Sequence, residues 1–317
     1  MIFSAHAPVR IDFAGAWTDV SYFADAFGGA TLNAAIKLYV KGELSTSADD
    51  AERLGDRHGE SADAGENSLI NTRSALQVSY GSSIPAGSGL GTSATLNVVW
   101  LALVRQQEVS CISDKMRIAE LAYDIERTLG IIGGKQDQYA SAVGGINLFT
   151  FGSDGVQRRA IALSPERQAE LEALLVLCYT GKARLSSNIH RNVWDNFRSG
   201  NEHTIRALFN LRDSAYMAET ALKNWDLDDF ASIINAQRSY MRLLDTSTTN
   251  KELEEIFELT APDIMGGKPC GAGGGGCLFL IARNDKAKQR IKDRLQAKGL
   301  EGLDVAFDFE GLVLNRQ

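Results

Sequence analysis

The chain has 317 residues, of which 44% are hydrophobic and 23% charged, and its formal net charge is −7. That length predicts two domains, and the acidic balance argues against a nucleic-acid or anionic-membrane surface, because either partner favours a basic face. The four cysteines lack metal-site spacing and no stretch reaches the roughly 18 apolar residues of a membrane span, so we expect buried thiols in a cytoplasmic protein.

Residues 7–20, "APVRIDFAGAWTDV", predict an alternating strand that ends in a turn at Gly15. The strand carries Arg10, and Asp19 follows the turn. Each is either a surface group or part of a site at the strand end, and the sequence leaves both explanations open. Residues 27–44 predict a turn and a second strand that pairs back on the first.

Residues 87–97, "GSGLGTSATLN", form a glycine loop that leads into an apolar pattern with helical spacing. We predict a helix from Thr92 to about Gln107, with the hydroxyls of Thr92 and Ser93 capping its first turn. Free backbone N–H groups at such a helix start attract phosphate. The alternative is a tight turn that needs glycine for positive φ. The Lys-Ser/Thr ending of a P-loop is absent from this segment.

Residues 113–130 predict a helix that begins at a capping Ser113 and ends at Gly130. The face opposite the apolar stripe should meet solvent and carries Arg117, Glu120, Asp124 and Arg127. Glu126 flanks the apolar stripe instead. It is either a rim residue that reaches water or a ligand for something cationic.

Residues 133–151 predict a short helix, a Gly-Gly pair and a strand from about residue 146. Asp137 falls in the first turn of that helix. An acidic residue there favours the helix dipole, and the functional alternative makes it the acceptor of a substrate proton.

A second glycine run, "GAGGGG", occupies residues 271–276. It contains the GxGxxG pattern, but the predicted strand 277–282 follows the glycines, whereas a dinucleotide loop has its strand before them. A structural turn and a ligand contact both fit this run. Residues 165–260 are predicted mostly helical, followed by a helix at 285–299 and a strand at 303–309.

Three segments in order resemble motifs of the GHMP small-molecule kinases: residues 7–20, 85–95 and 268–278. The resemblance implies an α+β fold of two domains. Residues 1–160 would form a ribosomal-protein-S5-like domain, and residues 161–317 a ferredoxin-like domain. ATP would lie between them, where the two glycine loops meet. Within the superfamily, "GKQDQYA" and its neighbours look most like the heptose 7-phosphate kinases, with L-fucokinase as a near relative.

The same resemblance implies ATP and Mg²⁺ at named positions. The nucleotide phosphates would be bound by Gly87, Ser88, Gly89, Leu90, Gly91, Thr92, Ser93, Gly273 and Gly274. Ser93 and Glu126 would hold Mg²⁺, and Asp137 would be the catalytic carboxylate with Arg10 beside it. The sugar would be contacted by Thr18, Asp19, Gly134 and Asp137.

The implied reaction transfers the γ-phosphoryl group of ATP to a sugar hydroxyl, most simply the anomeric hydroxyl of D-glycero-D-manno-heptose 7-phosphate. Arg184 and Ser187 in residues 180–189 are the candidates for binding the sugar phosphate, or else that segment is a solvated loop. Ala16 replaces an expected glycine, which leaves another sugar as acceptor open. A non-catalytic sensor of sugar and ATP is the alternative from a different class. The expected partner is a small sugar or sugar phosphate, and a homodimer is left open.

Overall fold

Two antiparallel sheets organise the part of the chain that the computed structural model describes, residues 2–45, 77–82, 84, 87–181 and 187–316. The first sheet contains β1 (Ile2–Ala14), β2 (Gly29–Ser45), β3 (Gln77–Ser82), β4 (Ile146–Gly152), β5 (Gly155–Ala160) and β10 (Val313–Arg316). Its order is β10-β1-β2-β4-β5, and β3 also pairs with β2. The predicted pairing of the second strand with the first is confirmed.

The second sheet contains β6 (Leu175–Tyr179), β7 (Ile264–Pro269), β8 (Cys277–Ala282) and β9 (Gly302–Asp304), in the order β7-β8-β6-β9. The strand predicted at 277–282 is confirmed. The strand predicted at 303–309 is only partly correct, because β9 stops at Asp304. Beyond it the chain crosses to the first sheet, where Phe307 bridges to Ile36 and is fully buried.

Helices cover both sheets. They are α1 (Ser21–Phe27), α2 (Thr92–Arg105), α3 (Ile112–Thr128), α4 (Gln136–Val143), α5 (Pro165–Leu174), α6 (Ser187–Arg198), α7 (Glu202–Asn224), α8 (Leu227–Leu244), α9 (Lys251–Thr260) and α10 (Asp285–Ala297). The mostly helical prediction for residues 165–260 is interrupted by β6, an apolar run that cannot be told from a buried helix by periodicity alone.

Two predicted helix caps are wrong. The residue before α2 is Gly91, in the left-handed region with φ 78°, and no side chain caps the helix. Thr92 and Ser93 lie inside its first turn. Likewise α3 begins at Ile112, so Ser113 is already helical. The uncapped start of α2 leaves its first backbone N–H groups available to a ligand.

One aromatic cluster joins the two sheets. Phe13 near the end of β1 packs edge-to-face on Phe230 of α8 and Phe279 of β8, with ring centroids 5.4 and 5.6 Å apart. It also contacts Phe307, at 6.4 Å. All four rings are fully buried. This packing fixes the end of β1, where the site lies, relative to the second sheet.

β10 belongs to the first sheet although it follows the second sheet in the chain. The domain boundary expected at residue 160 stays a prediction. Three cysteines are buried as expected, while Cys111 is exposed before α3. Among the described residues, no helix has the length and apolar character needed to cross a bilayer.

Candidate active site

The two glycine loops meet main chain to main chain. The Cys277 N–H donates to the Ser88 carbonyl at 2.6 Å. A Cβ added to Gly89 would lie 2.7 Å from the Cys270 carbonyl oxygen, and one added to Gly271 would lie 2.8 Å from the Gly89 carbonyl oxygen. Both glycines also have positive φ. The close approach therefore requires glycine, and it brings the second glycine run, residues 271–276, against the start of α2. We call this run the late glycine loop.

A cavity of about 250 Å³ opens where these loops meet. It is lined by parts of both glycine loops and by groups from β1, α3, α4 and α6, including Arg10, Trp17, Asp19, Ser93, Glu126, Gly134, Asp137, His190 and Gly273. The bare helix start supplies backbone N–H groups and the positive end of the helix dipole. The turn explanation of the first loop is confirmed, because Gly87, Gly89 and Gly91 have positive φ, and anion binding at the same loop stays a prediction.

Arg10 and Asp137 form an ion pair in this cavity. The Arg10 Nε donates to Asp137 Oδ1 at 2.8 Å, and a terminal guanidinium nitrogen lies 2.6 Å from the same oxygen. The other terminal nitrogen donates to the Gly89 carbonyl at 2.6 Å. Arg10 is 3% exposed and Asp137 is 27% exposed, so the carboxylate reaches the cavity while the guanidinium stays behind it.

Asp137 lies in the first turn of α4, as predicted. Its Oδ1 takes both Arg10 bonds, and Oδ2 accepts none from the described residues. Burial raises the pKa of Asp137 above its usual value, and the Arg10 charge opposes that rise. The pair can therefore hold a carboxylate whose second oxygen is ready to accept a proton.

Glu126 is buried between two amides. The Asn97 Nδ2 donates to its Oε1 at 2.7 Å, and the Gln138 Nε2 donates to its Oε2 at 2.9 Å. The side chain is 8% exposed and lines the cavity, which favours a ligand role over a water-facing rim. Burial raises the pKa of Glu126 to about 7. Sequence reasoning missed Asn97, although it lies one helical turn after Ser93 and hence on the same face.

Asp19 is buried beside the start of α4. Its Oδ2 accepts the Gln136 N–H at 2.9 Å. A Cβ on Gly134 would lie 1.8 Å from that same oxygen, so glycine is needed there to admit the carboxylate. Burial raises the pKa of Asp19 to about 7.

Three residues predicted to contact ligands do not line the cavity in this structure. Thr18 is fully buried, and its hydroxyl is bonded to the Gly15 carbonyl and to both backbone groups of Ala30. Leu90 is 1% exposed in the core. Gly274 donates its N–H to the Thr248 carbonyl, and its neighbours Gly273 and Gly275 line the cavity instead. Thr18 therefore supports the turn that carries Asp19.

A second ion pair fixes α4 against α3. Lys135 lies 2.7 Å from Glu120 Oε1, and the Tyr139 hydroxyl donates to Glu120 Oε2 at 2.5 Å. Glu120 faces solvent as expected, with its side chain 40% exposed, and it also accepts both of these bonds. Its interaction partners lie beyond the loop that follows α3, which helical periodicity cannot reveal.

A buried pair missed by sequence reasoning connects the late glycine loop to β1. The Lys268 ammonium bonds to the Asp12 carboxylate and, at 2.9 Å, to the Asp12 carbonyl oxygen. The Gly271 N–H donates to the other carboxylate oxygen at 2.9 Å. Both charged side chains are 0% exposed. This arrangement positions the loop beside Arg10, two residues earlier on β1.

The side chains predicted to bind a sugar phosphate lie outside the described part of the chain. Arg184 lies outside the described residues, and of Ser187 only the backbone, at the start of α6, is described. Among the described residues that line the cavity, Arg10 is the sole cation, and it is engaged by Asp137 and Gly89.

We predict that Gly134→Ala lowers both stability and acceptor affinity, because the added Cβ overlaps the Asp19 carboxylate. The expected loss of unfolding free energy is about 1–3 kcal/mol, typical of overpacking. Denaturant unfolding measures it. Gly133→Ala is the matched control, since its Cβ would meet Glu126 at an ordinary 4.0 Å, and it should cost far less. Equal losses in the two variants would contradict the clash.

We also predict that the stability of the protein depends on pH through the ionisation of Asp19. Its folded pKa of about 7 lies above the usual 3.8, so its contribution to stability is complete below pH 3.8 and is lost as pH rises through about 7. Relative to the wild type, Asp19→Asn should therefore gain stability over that range. Denaturant unfolding at several pH values checks this. Asp154→Asn, at an exposed carboxylate, should run parallel to the wild type, and a parallel Asp19→Asn curve would refute the prediction.

Comparison with known proteins agrees with this geometry. The profile of the GHMP kinases N terminal domain matches residues 51–145, and that of the GHMP kinases C terminal matches residues 218–300, together more than half of the chain. The D-glycero-alpha-D-manno-heptose 7-phosphate kinase of Campylobacter jejuni is 28% identical, over 96% of each chain. The bifunctional fucokinase/GDP-fucose pyrophosphorylase of Arabidopsis thaliana is 28% identical over 91% of this chain, which spans 30% of that longer protein.

A solved structure shares the fold across the full length. The crystal structure of a D-glycero-D-manno-heptose 1-phosphate kinase from Bacteroides thetaiotaomicron superposes with a TM-score of 0.72 at 24% identity, covering 99% of both chains. With two glycine loops around an Arg-Asp pair, and with both family profiles matched, the chain belongs to the GHMP kinases and is an ATP-dependent kinase. The fold and family predicted from the sequence are confirmed.

Proposed function

We propose that this protein is a sugar kinase that transfers the γ-phosphoryl group of ATP to the anomeric hydroxyl of D-glycero-D-manno-heptose 7-phosphate. The observation that carries the proposal is the Arg10–Asp137 pair, which lies in the same cavity as the uncapped start of α2. A proton acceptor and an anion site are thereby adjacent. That combination serves phosphoryl transfer from a nucleotide to an alcohol.

ATP binds through its phosphates in this proposal. Gly87, Gly89 and Gly91 all have positive φ and carry no Cβ, so backbone N–H groups can approach the phosphate oxygens. Ser88 and Thr92 exchange a hydrogen bond at 3.2 Å, which fixes the loop. The late glycine loop closes the other side. Backbone donors held in this way are aimed before the substrate arrives, which is what electrostatic stabilisation of transferring charge requires.

Ser93 and Glu126 are the residues that would hold Mg²⁺. Both line the cavity, Ser93 is exposed, and each oxygen of Glu126 takes one amide bond and retains a lone pair. A pKa near 7 marks a buried carboxylate that lacks a compensating positive charge. Hydroxyl and carboxylate oxygens suit this cation. Held by these two residues, Mg²⁺ would supply positive charge that offsets the charge of the phosphates.

Asp137 orients the acceptor hydroxyl and takes its proton. Arg10 occupies Oδ1 with two donors, which leaves Oδ2 to accept the hydroxyl hydrogen. As the hydroxyl oxygen bonds to the γ-phosphorus and the bond to the ADP oxygen breaks, the proton passes to Oδ2. The raised pKa of Asp137 makes it a better base than an exposed aspartate. Arg10 keeps the carboxylate in place throughout.

One comparison supports the heptose phosphate as acceptor: a relative that covers 96% of this chain is named a D-glycero-alpha-D-manno-heptose 7-phosphate kinase. The described cavity residues offer no free cation, so the 7-phosphate would be bound by groups outside them, and Arg184 with Ser187 remain our candidates. The longer fucokinase relatives make L-fucose the alternative acceptor.

The test is ADP release from ATP and Mg²⁺ with three acceptors in parallel: the heptose 7-phosphate, the unphosphorylated heptose and L-fucose. Turnover of the 7-phosphate with a clear preference over the other two is expected. Preferred turnover of a neutral sugar would overturn the acceptor but keep the reaction. Absence of turnover with all three would overturn the sugar kinase itself.

A further inference from the structure

A stacked pair of aromatic rings forms part of the cavity wall. Trp17 follows the turn after β1, and His190 lies in α6, yet their ring centroids are 4.5 Å apart with the planes inclined at 39°. Both residues line the cavity that Asp137 and Asp19 also line. Trp17 contacts Trp194 as well, one turn further along α6, at 6.3 Å. A residue of the second half of the chain thus reaches the same space as the catalytic pair.

Trp17 adopts an unusual backbone conformation to make this contact. Its φ is 80°, which is uncommon for a bulky residue and is tolerated only where the surroundings impose it. Here the indole is 3% exposed within its own aromatic cluster, and the next residue, Thr18, is bonded to three backbone groups. The conformation keeps the indole against the imidazole while Asp19, two residues on, keeps its place beside α4.

The imidazole of His190 has no hydrogen-bond partner among the described residues. Its Nδ1 is buried without a hydrogen bond, although a buried polar nitrogen normally has one. Burial lowers the pKa of His190 to about 4, so the ring is neutral near pH 7 and has one donor and one acceptor nitrogen. A neutral ring without a partner, at the wall of a polar cavity, suits a ligand that both donates and accepts.

We propose that His190 is an acceptor-binding residue that hydrogen-bonds a hydroxyl group of the sugar, with Trp17 fixing the plane of its imidazole. The inference rests on the proposed function and adds a contact from α6 to it. A sugar hydroxyl can donate a hydrogen bond to the ring nitrogen that carries no proton, or accept one from the nitrogen that carries the proton. A phosphate would call for a cation instead, so His190 meets a hydroxyl and the phosphate of the sugar is bound elsewhere.

The variant His190→Phe tests this, because it keeps a ring against Trp17 and removes both nitrogens. The KM for the acceptor should rise about tenfold, by the same factor on every sugar that the wild type accepts. The KM for ATP should not change. His190→Asn restores a donor and an acceptor and should recover part of the loss. Trp194→Phe is the packing control, since Trp194 is buried in the same cluster without lining the cavity, and its acceptor KM should stay at the wild-type value.

Each outcome bears on the assignment. An unchanged acceptor KM in an active His190→Phe enzyme overturns the inference and leaves the proposed function standing. A larger loss with the 7-phosphate than with a neutral sugar overturns the hydroxyl contact in favour of a phosphate contact. If His190→Phe does not fold, His190→Leu, which also lacks both ring nitrogens, gives the same comparison. If the wild type turns over none of the sugars, the proposed function is overturned, and the inference with it.

Discussion

Asp137→Asn should lose at least about 10²-fold in turnover, the usual scale of general-base assistance, while the enzyme continues to bind ATP. The amide cannot accept the hydroxyl proton. The amide can still fill the space beside Gly91. That space is tight, since a Cβ added to Gly91 would lie 3.0 Å from the Asp137 Cγ. Steady-state ADP release measures the turnover, and calorimetry measures ATP binding. Asp154→Asn, at an exposed carboxylate outside the cavity, is the control and should retain wild-type rates.

This result also separates a kinase from a non-catalytic sensor of sugar and ATP. A sensor has no need of a proton acceptor, so its wild type would show no turnover for Asp137→Asn to reduce. If the wild type turns over and Asp137→Asn keeps its rate, Asp137 is not the base. Thermal unfolding of the variant should be recorded alongside, because removing the charge leaves Arg10 buried with one fewer anion.

Lys268→Met should be the most destabilising of the substitutions considered, at about 3–5 kcal/mol of unfolding free energy. Lys268 and Asp12 are both fully buried, so removing the ammonium leaves an uncompensated carboxylate in the interior. The late glycine loop should loosen as well, since the Gly271 N–H is held by that carboxylate. Denaturant unfolding gives the loss, and the KM for ATP should rise with it.

Two comparisons test the cause of that loss. The double variant Asp12→Asn with Lys268→Met removes both charges and should recover part of the stability, because the buried charge is no longer unpaired. Lys251→Met breaks an exposed pair with Glu255, in which Lys251 is 89% exposed, and should cost less than about 1 kcal/mol. A double variant as unstable as Lys268→Met would mean that lost packing, rather than lost charge, is responsible.

The fold could be predicted from local patterns wherever those patterns are long. The periodicity of residues 113–130 corresponds to α3 within two residues at its C-terminal end, and the apolar run 277–282 is β8. Prediction failed where a contact between residues far apart in the sequence determines the local structure. Phe307 leaves its expected strand because the first sheet and the Phe13 cluster take it up. β6 was missed because its five apolar residues lack a distinguishing period.

The site could be predicted only in part. Resemblance to a family pointed to Arg10, Glu126 and Asp137, and all three line one cavity. The supporting groups were not predicted, since Asn97 and Asp12 act through partners far along the chain, at Glu126 and Gly271. Thr18 is the opposite case. Its hydroxyl looks like a ligand group in the sequence, but folding directs it to the backbone of Ala30.

The way in which the two glycine loops touch bears on how such an enzyme can change its acceptor during evolution. Ser88 meets Cys277, and Gly89 meets Gly271, through backbone atoms, so the contact itself depends on no side chain in these loops. The end of the cavity that we propose binds the sugar is built differently, from the side chains of Trp17 and His190. Mutations there can accumulate without disturbing the phosphate end. During evolution the acceptor sugar can therefore change while the residues proposed to bind ATP stay the same.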